Sequence, residues 1–227
     1  LALAEDGADI AIHYNQDDES AKETPQAIAD LGRRVGIFQA SLEDIDGLSN
    51  MMETIQEEMG DPGILIHNAG IASRGKTVAD TEASEVDRLM RVHAFAPHEL
   101  SKLALPGMRK HERGDIIMVS SAATKFDAGG GAPYNMAKAA MESLARTLSA
   151  EEKRHGVRVN IVAPGLVETE MGRRLVKATS GLDDIRKLEE RMPFGRICQP
   201  EDVANALKLN LVLVIRLTNC LIKLRAF

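Results

Sequence analysis

The chain is poor in groups that stack, cross-link or cross a membrane. Among its 227 residues there is no Trp, and there are two Tyr and five Phe. That leaves too few rings for a platform on which single-stranded nucleic acid would stack. Positive charge is not in excess either: the formal net charge is -6, so a phosphate backbone would be repelled on average. The basic pairs Arg33-Arg34 and Arg173-Arg174 read as solvated charges. There are two cysteines, Cys198 and Cys220, and neither lies at metal-ligand spacing from a His or another Cys. No metal site and no disulfide framework is expected, and a reduced, cytoplasmic protein is. The apolar stretch Leu207–Phe227 is broken by Lys208, Arg216, Lys223 and Arg225, which falls short of the uncharged run a membrane span needs. The opening Leu1–Ala4 ends at Glu5 and Asp6, so it does not read as a signal peptide. Repeats, low-complexity segments and linkers are also lacking, and a single domain over 1–227 is the simplest organisation.

What is present is a regular alternation of two patterns. Short β-branched runs predict strands at Asp9–Tyr14, Val35–Gln39, Ile64–Ile66, Asp115–Val119 and Val157–Val162. Between them, helical spacing predicts Asp17–Leu31 (capped by Asp17 or Asp18 and burying Ala21, Ala27, Ile28 and Leu31), Ile45–Met59, Glu85–Arg109 with a bend at Pro97, and Ala132–His155. A further helix opens at Pro200 and runs to Leu209. Gly32 and Gly60 close the first two of these helices. Alternating strands and helices imply a parallel sheet with helices on both faces. Ligands of such sheets bind outside the carboxyl ends of the strands, so the residues just after each strand are where chemistry is to be sought.

After Ile64–Ile66 comes His67-Asn68-Ala69-Gly70, whose small residues allow close approach of a ligand or of neighbouring backbone; an ordinary turn is the alternative. After Val119 comes Ser120-Ser121, which could also simply close a turn. Downstream, Tyr134 and Lys138 are four residues apart at the start of a helix, so they share a face. An ammonium beside a phenol favours the phenolate, and a Tyr tuned downward in this way is a general acid/base near neutral pH. A nearby Ser hydroxyl could hold the same substrate oxygen. After Val162 comes Ala163-Pro164-Gly165, then Val167 and Thr169; the Thr169 hydroxyl either faces the mouth of the sheet or caps a helix. Gly129-Gly130-Gly131 lacks the preceding strand and the following Gly-Lys-Ser/Thr of a phosphate loop, and reads as a flexible loop beside the site.

These residues resemble the short-chain dehydrogenase/reductase family, nearest to its 3-oxoacyl-carrier-protein reductase and glucose dehydrogenase subgroup. Asn68-Ala69-Gly70 resembles the family's Asn-Ala-Gly motif on the adenine side of the cofactor. Ser121, Tyr134 and Lys138 resemble its Ser and Tyr-x-x-x-Lys pattern. Pro164, Gly165, Val167 and Thr169 resemble the segment lining the nicotinamide. Pro193–Arg196 and Gln199–Ala204 resemble the part that closes a substrate loop, here 166–196. The resemblance runs from residue 1 to about residue 206 and implies a Rossmann-like doubly wound α/β fold. It also implies an NAD(P)-dependent oxidoreductase acting on a carbonyl or secondary alcohol. In that reading Tyr134 exchanges the proton, Lys138 lowers its pKa and holds the nicotinamide ribose, and Ser121 stabilises the substrate oxygen. Asn68, Ala69, Gly70, Tyr134, Lys138, Pro164, Gly165, Val167 and Thr169 contact the cofactor. A homo-oligomer, dimer or tetramer, pairing the helices 85–109 and 132–155, is implied as well.

The resemblance has three departures. The family's first strand and glycine-rich loop are missing, with Leu1–Ala8 resembling the end of the following helix, so a fragment of a longer protein is expected, with sheet edges left bare. His93 stands after Val92 where the family usually has an Asn that holds a water of the proton relay. Imidazole can also donate and accept, which makes His93 a fourth candidate catalytic residue; reduced activity, or an ordinary partly buried histidine, are the alternatives. Ser41 likewise stands where an adenine-contacting Asp is frequent. The tail after Leu207 does not resemble the family's last elements. Tyr14-Asn15-Gln16 carries no acid to bind a ribose 2′-hydroxyl, which favours NADP over NAD. The first substrate expectation is a 3-oxoacyl thioester, helped by the apolar content of 166–196. A sugar or polyol dehydrogenase is the second, and a catalytically weak NAD(P)-binding protein acting through protein contacts the third. Membrane and nucleic-acid partners are not expected.

Overall fold

The computed structural model describes residues 1–16, 20–192 and 194–212. In chain order the elements are α1 (Ala2–Glu5), β1 (Ile10–Tyr14), α2 (Ser20–Asp30), β2 (Val35–Gln39), α3 (Leu48–Met59) and β3 (Ile64–His67). Then follow α4 (Ala83–Met90), α5 (Ala96–Met108), β4 (Gly114–Val119), α6 (Ala123–Phe126), α7 (Ala132–Glu152), β5 (Val157–Val162), α8 (Glu170–Ser180) and α9 (Pro200–Val212). Every strand pairing is parallel. The fold is the Rossmann-like α/β architecture expected, and all five strands lie where the sequence puts them.

The described strands form two sheets, β1-β2 and β3-β4-β5. Strand β4 is buried along its whole length, as suits an apolar strand flanked on both sides and covered on both faces. Ile116 and Met118 join the main core with Val92, Leu100, Ala104 and Met108 around α5, Met141, Ala145 and Leu148 on α7, and Leu48, Met51 and Met52 on α3. Ile117 alternates to the other face. Among the described strands, β1 pairs with β2 and β3 with β4, and Ile64 at the start of β3 is exposed.

Three local differences from the sequence reading have physical causes. The helix expected over 85–109 is two helices joined by a π-helical turn, Arg91–Phe95. Pro97 bends it indirectly: it has no N–H to return to the carbonyl of His93, and the irregular turn falls just before it. The helix expected from Ile45 starts at Leu48, because Asp44 accepts a hydrogen bond from the Gly47 N–H at 3.2 Å and makes 44–47 a turn. Leu31 is exposed rather than buried, whereas Ile28 fills the α2 face. Asp17 and Asp18, Pro193, Cys220 and the tail from residue 213 lie outside the described residues.

Candidate active site

The site is built where β4 and β5 end and α7 begins. Pro133 sits in the first turn of α7, where its missing N–H is harmless. The next residues put Tyr134 and Lys138 one turn apart on the same face. Lys138 is 3% exposed, and its Nζ donates to the carbonyl of Val119 at 2.7 Å. The lysine thus pins the first turns of α7 to the last residue of β4. Burial pushes its ammonium down to about 8, because the charged form loses its hydration.

Ser121 follows at once. Ser120 N–H donates to Val162 O at 2.8 Å and Ala122 N–H to Pro164 O at 2.8 Å, so the turn is held against the segment leaving β5. The Ala123 N–H donates to Ser121 Oγ at 3.2 Å, and the Ser121 hydroxyl lies near enough to the Tyr134 phenol to act on its pKa. The sequence-based expectation that Lys138 draws the phenol pKa down is corrected here. Burial pushes the Tyr134 phenol up, and the Ser121 hydroxyl offsets that only in part. Lys138 Nζ lies 5.8 Å from the ring centroid and is committed to Val119.

His93 lies in the π-helical turn and is 1% exposed. Its ring meets that of Tyr134 edge-on, centroids 5.4 Å apart at 83°. Nε2 lies 2.8 Å from Ile71 O and 3.3 Å from Ile71 N, two contacts that favour opposite tautomers of the neutral ring. Nδ1 is buried without a partner among the described residues. Burial first, and the nearby Lys138 charge second, bring its pKa down to about 4, so the ring is neutral at physiological pH. A Cβ at Gly70 would lie 2.5 Å from His93 Cε1 and 3.3 Å from Nδ1. Gly70 is therefore needed for close packing of the β3 turn onto this imidazole.

Of the other residues singled out, Asn68 and Ala69 are exposed at the carboxyl end of β3. Pro164, Gly165 and Val167 leave β5 half-buried, and Val167 bridges to Cys198. Thr169 caps α8, its Oγ1 accepting from the Gly172 N–H at 3.1 Å, which is the capping alternative. Ser41 Oγ accepts from the Glu43 N–H at 3.2 Å. The 129–131 loop packs against its neighbour: a Cβ at Gly130 would meet Gly75 O at 2.9 Å. Around the 166–196 region Val176 and Ile185, with Ile197 just beyond it, form a small core of their own with Leu182, Leu188 and Met192, while Met171 and Leu175 stay exposed. Arg33 and Arg34 pair with Asp9, and Arg173 and Arg174 with Glu170, as solvated charges do. Among the described residues no cluster could hold a metal, and no helix is long and apolar enough to cross a membrane.

Two buried polar groups beside the site escaped the sequence reading. His67 Nε2 lies 3.1 Å from Ser101 Oγ, and burial brings its pKa down to about 3. Glu142 is buried below Ser121. A signal for it existed: it lies four residues beyond Lys138, on the stripe that carries Ala137, Met141 and Ala145.

A family model described as enoyl-(acyl carrier protein) reductase matches residues 1–210. Among curated relatives, the acetoacetyl-CoA reductase of Allochromatium vinosum is 30% identical over 207 residues, 90% of this chain and 81% of the relative. The 3-oxoacyl-(acyl-carrier-protein) reductase of Escherichia coli is 32% identical over 183 residues, 80% of this chain and 72% of the relative. A solved structure of a short chain dehydrogenase from Burkholderia cenocepacia, in complex with NADP, is 30% identical with a TM-score of 0.80, covering 91% of this chain and 81% of that one. With the Ser121, Tyr134 and Lys138 geometry and a family match over nearly the whole chain, this protein belongs to the short-chain dehydrogenase/reductase family of NAD(P)-dependent oxidoreductases.

Proposed function

We propose that this chain is an NADPH-dependent reductase of 3-oxoacyl thioesters, with Ser121, Tyr134 and Lys138 at its reaction centre and His93 behind Tyr134. The observation that carries the reading is the placement of Tyr134 and the buried Lys138 one turn apart on α7, with Lys138 tied to the carboxyl end of β4 beside the turn that carries Ser121. The nucleotide fits the residues present. Among the described residues Lys138 Nζ has one hydrogen-bond partner, Val119 O, and a buried ammonium calls for more acceptors. Ribose hydroxyls would supply them. Asn68, Ala69, Gly70, Pro164, Gly165 and Val167 would line the adenine and nicotinamide sides of the nucleotide site, with Thr169 holding the start of α8 beside them.

When bound, the nicotinamide supplies the hydride. Tyr134, protonated at neutral pH as a phenol ordinarily is, gives its proton to the carbonyl oxygen. Ser121 donates to the same oxygen as negative charge builds there. Lys138, cationic below about pH 8, stabilises the phenolate that remains. His93 Nδ1, buried without a partner among the described residues, is free to hydrogen-bond a water that reprotonates Tyr134. The uncharged strand end Tyr14-Asn15-Gln16 offers no carboxylate to repel a 2′-phosphate, which supports NADPH over NADH, as does the NADP in the related structure. Exposed Met171 and Leu175 on α8 offer apolar surface to an acyl chain, and both curated relatives are named for thioester substrates. One domain with a substrate loop over 166–196, a homotetramer and a cytoplasmic location complete the proposal.

The test is oxidation of NADPH and NADH by the full natural chain with acetoacetyl-CoA, diketones and sugars. NADPH turnover on the thioester that Tyr134→Phe lowers by about 10²- to 10⁴-fold supports the reading. Preference for a sugar would reassign the substrate. The second reading, nucleotide binding without catalysis, is favoured by His93 in place of the usual Asn and by the raised Tyr134 phenol. Nucleotide binding with no turnover on the whole panel would establish it.

A further inference from the structure

Glu142 is a carboxylate with 4% of its surface exposed, lying under the reaction centre without touching the Ser121 or Tyr134 hydroxyls. One of its oxygens, Oε1, accepts two hydrogen bonds, from Ser120 Oγ at 2.9 Å and from Thr124 Oγ1 at 2.8 Å. These donors flank Ser121. The other oxygen, Oε2, faces Lys125 Nζ at 3.5 Å and Arg146 Nη1 at 3.6 Å. Burial alone would push the Glu142 carboxyl up; the hydroxyls of Thr124 and Ser120 and the charge of Lys125 outweigh it and hold the group below the ordinary carboxylate range.

We propose that Glu142 is a positioning residue, fixing through Ser120 and Thr124 the turn that carries the Ser121 hydroxyl to the Tyr134 phenol. The proposal rests on the reading of Ser121 and Tyr134 as reacting groups. The backbone of the turn is tied to the β5 exit by Ser120 N–H and Ala122 N–H, and Ala123 N–H donates to Ser121 Oγ. Glu142 adds the side-chain link from this turn to α7. Thr124 Oγ1 also lies 3.0 Å from Ser121 O, so the same threonine touches both Glu142 and the residue that must be aimed. Glu142 and Tyr134 sit on one helix, eight residues apart. Helix α7 therefore carries the proton donor and, two turns on, the group that aims its partner. A shift of the Ser121 hydroxyl by about 1 Å would suffice to cost roughly 10²-fold in rate.

The geometry singles out two substitutions. In Glu142→Gln the amide oxygen can take the place of Oε1 and keep both hydroxyl donors; in Glu142→Leu the volume stays and the acceptor goes. With acetoacetyl-CoA and NADPH, the leucine variant is expected to lose about tenfold to a hundredfold in kcat, with the KM for NADPH within about twofold of wild type. Glutamine is expected to restore kcat to within about threefold. A second readout needs no turnover: in protein labelled with 13C at the tyrosine ring carbon bearing oxygen, the Tyr134 signal, assigned by its loss in Tyr134→Phe, shifts in Glu142→Leu and not in Glu142→Gln. Should Glu142→Leu not fold, Ser120→Ala with Thr124→Val removes the two donors, leaves the charge paired, and is expected to shift the same signal. Wild-type kcat with an unmoved Tyr134 signal in the leucine or double variant overturns the proposal. So does a glutamine variant as impaired as the leucine one. If the parent enzyme reduces no carbonyl, the functional reading fails, and the Tyr134 signal alone decides whether Glu142 aims Ser121.

Discussion

At the scale of single residues the site contains more buried ionisable chemistry than the family motif names. Lys138, His93 and His67 all have pKa values pushed down by burial, and each implies a dependence of stability on pH. For Lys138 the folded value, about 8, lies below the ordinary 10.5. The unfolded chain then binds more protons between those values, so stability rises with pH across that window. The rise has an upper bound of roughly 3 kcal/mol. Chemical denaturation of wild type and Lys138→Met across pH 8 to 10.5 should show the slope in the wild type and its loss in the variant. For His93 the folded value is about 4 against an ordinary 6.5. Stability is complete above 6.5 and falls as pH drops toward 4. His93→Asn should make that fall shallower by about one bound proton, measured by urea midpoints over the same range. An unchanged slope would mean that His93 is already protonated in the folded protein.

At the scale of elements, two attachments differ in strength. Asp115, buried at the start of β4, holds Arg113 Nε at 2.8 Å and Arg158 Nη2 at 2.6 Å. Arg158 Nη2 in turn donates to Asn210 O at 2.9 Å, and Arg113 to Leu211 O, satisfying carbonyls at the end of α9. Burial pushes the Asp115 carboxyl up to about 6 despite these partners, and both arginines are partly exposed, so Asp115→Ala is expected to lose about 1–2 kcal/mol in thermal or denaturant unfolding. The 166–196 region, by contrast, rests on a small separate cluster of Val176 and Ile185 with Ile197 just beyond it. A small separate core opens at lower free energy than a large shared one. Amide exchange in α8 should therefore be faster than in β4 and β5 by orders of magnitude, as measured by mass spectrometry. Equal protection would show that the region is part of the main folding unit. On the substrate-loop reading proposed above, such a region would admit substrate and then cover it.

At the scale of the whole molecule, charge and surface limit the partners. A net charge of -6 predicts no salt-sensitive retention of duplex DNA in a mobility assay. The outer faces of α5 and α7 carry His98, Lys102, Pro106, Arg109, Leu148 and Glu151 around a shallow hollow. The homo-oligomer proposed above would place its interface on these two helices. Multi-angle light scattering of the full natural chain should give a dimer or tetramer, and a monomer peak would remove that part of the proposal. The strand alternation, the parallel order and the helix closures at Gly32 and Gly60 were all legible, since period and punctuation are local properties. The break of the long helix into two was legible only as a bend at Pro97. The π-helical turn that resolves it depends on where His93 is accommodated against Gly70 and Tyr134.

The sequence by itself determined the fold class and brought Tyr134 and Lys138 onto one face, because helical spacing is set by backbone geometry alone. It also marked Ser121 by its place after a buried strand. Tertiary structure decided what those groups are chemically. Whether a lysine lowers a phenol depends on distance and burial, and here the Nζ is turned to Val119 while the phenol is desolvated. Whether Thr169 caps or lines, and whether Glu142 is a surface charge or a buried acceptor, depends on contacts between segments far apart in the chain. No local pattern carries that information, since burial and partner identity arise only when helices and strands are packed together.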